Sequence, residues 1–174
     1  VEIAAEDYRR LARLAKTGSA PVLEINSDVR FDDSDVNAYN ILADIPGSDP
    51  KAGYVMAGAH LDSWVAGDGA ADNGAGSAMI MEAARILKSL GIKPKRTIRV
   101  GLWSGEEQGL IGSQAYVAQH FARYPEPTDA AQKALPASLR EPTGPLQKMR
   151  DYDKFQVYFN MDNGSGRFRG IYAQ

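Results

Sequence analysis

The fold is decided by residues 54–62, YVMAGAHLD, a short apolar run that ends in a histidine and an aspartate. An unbroken apolar run of this length is typical of a strand covered on both faces, as in a parallel sheet. A loop rich in glycine and aspartate follows over residues 62–76, and then a helical pattern that Gly91 and Pro94 bring to an end. The stretch therefore predicts a strand, a loop and a helix, with polar residues where the strand ends.

Strand and helix patterns alternate on either side of this stretch. After the first helix come a strand over Thr97–Trp103, a helix that begins at Glu106 and a strand over 155–161. This alternation predicts an α/β fold with a mostly parallel central sheet and helices on both faces. The other predicted elements are a leading helix within 1–20, strands at 21–29 and 39–45, one short helix at 130–135 in a proline-rich insertion, and a strand at 168–172.

Composition excludes several classes of function. The 174 residues hold 20 basic and 22 acidic side chains, no cysteine and two histidines, with a mean hydropathy of −0.36. No apolar run reaches the ~18 residues that a membrane helix needs. The charge balance argues against a general nucleic-acid or membrane-surface binder, and the lack of cysteine excludes disulfides and thiolate sites. Any metal site in this sequence must therefore depend on carboxylates.

Chemically active side chains follow the ends of three predicted strands. They are His60, Asp62, Asp72, Glu106, Glu107 and Asp162. The crevice beyond the carboxyl ends of parallel strands is where ligands bind in open α/β sheets. No lysine or arginine lies within these motifs, and clustered carboxylates repel one another. The pattern therefore favours a bound cation at this edge of the sheet.

Each candidate also has an ordinary structural interpretation. His60 could be a hydrogen-bonded core histidine, and Asp72 could cap its helix. Glu106 and Glu107 could be acids in the first turn of a helix, where they favour the dipole. Asp162 could be a turn residue before an Asn-Gly pair. Each interpretation is plausible alone, but their coincidence at three strand ends favours a site.

Other motifs in the sequence do not point to a site. The glycine-rich segments 67–69 and 74–76 lack the third glycine of a dinucleotide-binding fingerprint, and the loop is acidic. Residues 33–44 imitate a calcium loop, but position six is Ala38 and strand patterns flank it. His120 is interpreted as a surface residue or a helix C-terminal residue.

Four motifs in order resemble the co-catalytic zinc exopeptidases, the family of bacterial leucyl aminopeptidases and glutamate carboxypeptidases. The motifs are AHLDS at 59–63, GAADNG at 69–74, WSGEEQG at 103–109 and NMDNG at 160–164. The resemblance runs from about residue 39 to residue 172 and is strongest to the branch that resembles plasma glutamate carboxypeptidase. It implies a zinc-exopeptidase fold of which the C-terminal part is missing.

The resemblance implies two zinc ions in a complete domain. It makes His60 and Asp162 ligands of one zinc, Asp72 the carboxylate that bridges both ions, and Glu107 a ligand of the other zinc. The second zinc in the family also takes a histidine from a loop well downstream of the Asp162 position. We therefore expect this chain to bind at most one zinc ion tightly.

The remaining two acids resemble the family's catalytic groups. Glu106 looks like the general base that deprotonates a water, and Asp62 looks like the residue behind His60 that orients its imidazole. The chain is expected to be an internal piece of a larger peptidase and to be inactive alone. Within one partial catalytic domain, 1–174, we distinguish a leading helix (1–20), an α/β core (21–123), a proline-rich insertion (124–150) and a metal-bearing strand with a following hairpin (151–174).

The predicted function is metal-dependent hydrolysis of peptides or dipeptides by a zinc exopeptidase, with no nucleic-acid or membrane partner. The alternatives are a metal-free scaffold relative and a single-zinc transferase similar to glutaminyl cyclase. The resemblance alone favours a secreted or periplasmic location, and an exposed sheet edge could support a homodimer. The sequence leaves the natural substrate and the choice between amino and carboxyl ends open.

Overall fold

The computed structural model describes residues 3–162, 164 and 166–173, and the chain divides into two compact units. The first unit, residues 1–36, holds helix α1 (Ala5–Lys16), which lies within the predicted leading helix. The strand predicted at 21–29 is wrong, because this segment forms no strand and pairs with none. Its apolar side chains are exposed, that of Val22 to 92%, so they do not pack against a core.

The second unit, residues 37–174, is built on a four-stranded sheet. Its strands are β1 (Ile41–Ile45), β2 (Tyr54–His60), β3 (Thr97–Trp103) and β6 (Phe155–Asn160), and β4 (Ala122–Arg123) pairs separately with β5 (Gln147–Lys148). The order across the sheet is β1-β3-β2-β6. Strand β2 is parallel to both neighbours, and β1 runs antiparallel to β3 at one edge. The predicted α/β class with a mostly parallel sheet is confirmed.

Helices α2 (Ala75–Ser89) and α3 (Ile111–His120) cover opposite faces of this sheet. Successive strand residues point to opposite faces, so side chains of β2 and β3 contribute to two separate hydrophobic cores. On one face Ala59, Val100 and Leu102 pack against Ile80 of α2. On the other face the aromatic ring of Tyr116 of α3 packs against Trp103, with ring centroids 5.3 Å apart. Burial on both faces explains why β2 has no polar residue before His60.

Two further predictions are wrong among the described residues, the strand at 168–172 and the helix start at Glu106. The segment at 168–172 forms no strand, and its apolar side chains are exposed. No helix begins at Glu106, because α3 begins at Ile111. The chain first passes through a turn in which Gly105 and Leu110 both have positive φ, and such angles cannot be part of an α-helix. Asn163, in the turn predicted after Asp162, lies outside the described residues.

His120, the other histidine of the sequence, is the last residue of α3 and packs against Tyr116 of the same helix. Its ring stacks on Tyr116 at a centroid separation of 4.4 Å, and its Nδ1 lies 3.4 Å from Oδ2 of Asp151. Asp151 is buried and also contacts Lys154. Burial opposes ionisation of Asp151, but hydrogen bonds from Lys154 and His120 outweigh it and lower the pKa of this carboxyl. His120 therefore ends α3, as predicted, and lies away from the candidate site.

In the part of the chain that is described, no helix is both long enough and apolar enough to cross a membrane.

The proline-rich segment contains the short helix α4 (Ala130–Ala134), in agreement with the prediction of one short helix there. Asp129 caps α4 by accepting a hydrogen bond from the backbone N–H of Gln132 at 2.8 Å.

Gly58 in β2 offers a direct test of the sheet packing. A Cβ at this position would lie 2.5 Å from the carbonyl oxygen of Gly101, 2.7 Å from the Tyr158 hydroxyl and 2.9 Å from Trp103 Nε1. We expect Gly58→Ala to lower the free energy of unfolding by about 1–3 kcal/mol, the usual cost of overpacking a core. Gly170→Ala is the control, because a Cβ there meets nothing within 4 Å. Equal denaturation midpoints for both variants would contradict the packing described for β2.

Candidate metal centre

His60 is the last residue of β2 and is only 3% exposed. Its backbone is fixed from two sides. The Ser77 hydroxyl of α2 donates a hydrogen bond to the His60 carbonyl at 2.9 Å, and the following amide, of Leu61, donates to the Trp103 carbonyl at 2.7 Å. The strand and the helix therefore hold this imidazole at the carboxyl end of the sheet.

Three carboxylates surround the Nε2 atom of His60. This nitrogen lies 3.0 Å from Asp72 Oδ1, 3.1 Å from Asp162 Oδ1 and 3.9 Å from Glu106 Oε2. Candidate ligand atoms of His60, Asp72 and Asp162 all lie within 4.8 Å of one another. The same holds for His60, Glu106 and Glu107. The structure thus brings together the acids that the sequence places at three different strand ends.

Asn73 joins the segments that carry Asp72 and Asp162. Its side chain is 1% exposed and donates a hydrogen bond from Nδ2 to the Met161 carbonyl at 2.8 Å. Its Oδ1 accepts from the backbone N–H of Gly76 at 3.1 Å, in the first turn of α2. One buried amide therefore ties the start of α2 to the residue just before Asp162.

Asp62 binds the backbone of the two glutamates. Its carboxylate accepts hydrogen bonds from the N–H of Glu106 at 3.0 Å and from the N–H of Glu107 at 3.2 Å. The Nδ1 of His60 lies 3.0 Å from the backbone carbonyl of Asp62 and 3.7 Å from its carboxylate. The imidazole is therefore within hydrogen-bond distance of the main chain of Asp62, and the carboxylate is directed to the glutamates. The orienting role expected for the Asp62 side chain stays a prediction.

Clustered negative charge changes the ionisation of this site. Burial raises the pKa of Glu106, and the nearby Asp162, Asp62 and Asp72 raise it further, against the opposing effect of His60. Burial favours neutral His60, but Asp162, the Asp62 carbonyl and Glu106 outweigh it and raise the pKa of the imidazole. Among the described contacts, the His60 ring is the basic group that Asp72, Asp162 and Glu106 share.

Glu107 belongs to the same cluster of carboxylates around His60, with Asp72, Glu106 and Asp162, and one of its carboxylate oxygens is buried. Its Oε1 is buried and has no hydrogen-bond partner among the described residues. Burial raises the pKa of this carboxyl, and Asp72 and Glu106 raise it further. In the described part of the chain, no salt bridge joins a lysine or arginine to any acid of the cluster. A buried acceptor without a donor, beside other carboxylates and one imidazole, fits a divalent cation.

Sequence reasoning missed the residues that hold this arrangement together. Asn73 lies within the glycine-rich loop and Ser77 follows it, and neither side chain is a metal ligand that the motifs indicate. Asn40 lies more than 60 residues before the glutamates, yet its side chain bonds to both ends of their loop. An amide or hydroxyl that bonds only to backbone atoms leaves no spacing pattern in a sequence, so these positions gave no signal.

Residues 40–168 match the family model described as Peptidase family M28. The chain belongs to peptidase family M28. The match includes all four motifs that surround the cluster, from His60 to Asp162. The predicted family is therefore confirmed.

The relatives that the chain resembles include proteins named as a carboxypeptidase and as an aminopeptidase. The chain is 40% identical over 118 residues to carboxypeptidase Q of Xenopus laevis, and the match covers 68% of the chain and 25% of that protein. It is 36% identical over 120 residues to the probable leucine aminopeptidase 2 of Aspergillus oryzae, over 68% of the chain and 23% of that protein. A solved zinc aminopeptidase from Bacillus subtilis is 27% identical, with a TM-score of 0.49, over 71% of this chain and 24% of that one. The chain spans about a quarter of the length of the curated relatives it matches.

Proposed function

We propose that the full-length protein is a metal-dependent exopeptidase that hydrolyses peptide bonds of small peptides with zinc. The observation that carries this proposal is the convergence of Asp72, Asp162 and Glu106 on one buried imidazole nitrogen, within 3.9 Å. Membership in a peptidase family makes hydrolysis the expected use of such a cluster. Since every ligand position of the family pattern that falls within this chain is filled, and so is the position of the base, the cluster does not favour a metal-free scaffold.

The donor set fits zinc. Zinc in proteins takes imidazole nitrogen and carboxylate oxygen, and a catalytic site leaves one position open. His60, Asp72 and Asp162 would hold one ion, and Glu107 together with Asp72 would hold a second. When bound, such ions polarise the scissile carbonyl and lower the pKa of a water. The number of ions that the full-length protein binds is part of this proposal.

The chain's own groups supply binding and proton transfer. Glu106 is 27% exposed at its side chain, so its carboxylate can reach both the cluster and solvent. Its raised pKa brings the carboxyl nearer to the range in which a group can accept a proton and later release it. Glu106 would take a proton from the attacking water at a carboxylate oxygen and deliver it to the leaving amine. Asp62 fixes the backbone from which Glu106 extends.

Chelation tests this proposal on the full-length protein. We expect dipeptides and aminoacyl substrates to be hydrolysed, with at least about a tenfold loss of rate after dialysis against a chelator, because the cluster then lacks its cation. Added zinc should restore the rate. Hydrolysis that is insensitive to chelator, with no metal detected by elemental analysis, would contradict the proposal.

The same assay decides which chain end is cut. Peptides blocked at the amino terminus are resistant to an aminopeptidase, and amidated peptides are resistant to a carboxypeptidase. Because the relatives include both, each kind of peptide should be measured separately.

Two further expectations stay predictions. One is a secreted or periplasmic location, and the other is pairing of two copies through an exposed edge of the sheet.

A further inference from the structure

Asn40 bonds to both ends of the loop that carries Glu106 and Glu107. Its Oδ1 accepts a hydrogen bond from the backbone N–H of Ser104 at 3.2 Å, and its Nδ2 donates to the Gly112 carbonyl at 2.9 Å. Asn40 is half-buried and immediately precedes strand β1. One side chain therefore joins the exit of β3 to the start of α3.

The loop between these two anchors has an unusual backbone. Gly105, Gly109 and Leu110 all have positive φ, and Leu110 does so at 60° although it carries a side chain. Leucine is unfavourable in this conformation, so surrounding contacts must hold it. Internal bonds contribute, such as the one from the Gly112 N–H to the Ser104 carbonyl at 2.9 Å.

Gly112 is fitted to the Asn40 side chain. A Cβ on Gly112 would collide with Asn40 Oδ1 and would lie 2.5 Å from the Ser104 carbonyl oxygen. The absence of a side chain at this position lets α3 approach the amide closely enough to form the bond. Asp62 then fixes the middle of the loop through the N–H groups of Glu106 and Glu107. Asn40 acts at the two ends of the loop, and Asp62 acts at its centre.

We propose that Asn40 is a positioning residue, which fixes the loop 104–112 and so sets where the carboxylates of Glu106 and Glu107 lie relative to His60. This role rests on the proposed function where it concerns catalysis. A displacement of about 1 Å in a catalytic group can lower a rate by up to about 100-fold. Asn40 itself does not approach the cluster through any described contact, so its effect must pass through the loop backbone.

The test compares Asn40→Ala, Asn40→Asp and Asp44→Asn in the full-length protein. Asp44 lies in the adjacent strand β1 and forms a two-point ion pair with Arg99, with both distances 2.8 Å. Asp44→Asn therefore weakens the same edge of the sheet without touching the loop. Amide hydrogen exchange at residues 104–112 is measured together with the melting temperature and the zinc content. Exchange is independent of activity, so this arm remains valid even if the proposed peptidase function fails.

We expect Asn40→Ala to speed exchange across 104–112 by at least about tenfold, while Asp44→Asn leaves it unchanged. Asn40→Asp keeps the acceptor for Ser104 and should retain protection at that amide. On a dipeptide that the wild type hydrolyses, kcat should fall about 10- to 100-fold for Asn40→Ala with zinc retained. Unchanged exchange in Asn40→Ala, or an equal increase in Asp44→Asn, would overturn the proposal. A wild-type kcat in Asn40→Ala would overturn it as well.

Discussion

Replacing Glu106 with Gln should lower kcat by about 10²- to 10⁴-fold, the usual contribution of a positioned general base. Glutamine has nearly the same shape, but its amide cannot take a proton from water. The Glu106 carboxylate lies 3.9 Å from His60 Nε2, farther than the two aspartates, so its loss should leave zinc binding nearly unchanged. The measurement is steady-state kinetics on the full-length protein together with its zinc content.

Glu82→Gln is the matched control for this substitution. Glu82 lies on the exposed side of α2 and pairs only with Arg85 among the described contacts, at 2.6 Å. Its change removes the same charge without touching the cluster, so kcat should be unaltered. Loss of zinc from Glu106→Gln would show that Glu106 is a ligand, and the roles proposed for Glu106 and Glu107 would then be exchanged.

The central strands of the fold could be predicted from the sequence because their signal is local. Residues 54–59 are apolar throughout, and a parallel strand buried on both faces requires that. The strand predicted at 21–29 failed because alternation describes only a pattern of side chains. It says nothing about whether another strand is available to accept the hydrogen bonds.

The predicted helix at Glu106 failed for a different reason. Glycine at 105 and 109 permits positive φ, but nothing in the sequence marks Leu110 as the third such residue. The predicted helix therefore begins five residues too early, and the two glutamates lie in the turn that precedes α3. The turn and the two hydrogen bonds to Asp62 hold the backbone of these glutamates.

The acids of the site could be predicted because parallel strands bring their carboxyl ends to one edge. Their mutual positions could not, because those depend on buried side chains such as Asn73, which bonds to the backbone of Gly76 and to that of Met161, 88 residues away. The ligands of such a cluster can be recognised in a sequence from their residue type and spacing. The amide side chains that hold them in position cannot.

His60→Asn should weaken zinc binding by more than about 100-fold, a loss larger than that for residues beyond the direct ligands. His60 is the only histidine in the cluster, and its Nε2 lies within 3.1 Å of both Asp72 and Asp162. Without this nitrogen the described part of the site holds carboxylates alone, and oxygen-only sets suit magnesium or calcium better than zinc. Activity should be lost with the metal, and titration of the apoprotein with zinc measures the change.

His120→Asn is the control, since the chain contains one other histidine. Its ring packs on Tyr116 and lies 3.4 Å from Asp151, so its loss can lower the melting temperature. The zinc affinity of this variant should nevertheless match that of the wild type, because none of its described contacts involves the cluster. Equal zinc loss in both variants would mean that unfolding, and not ligand removal, explains the result for His60. Unchanged zinc affinity in His60→Asn would remove the imidazole from the proposed ligand set, and with it the reason to assign zinc to these carboxylates.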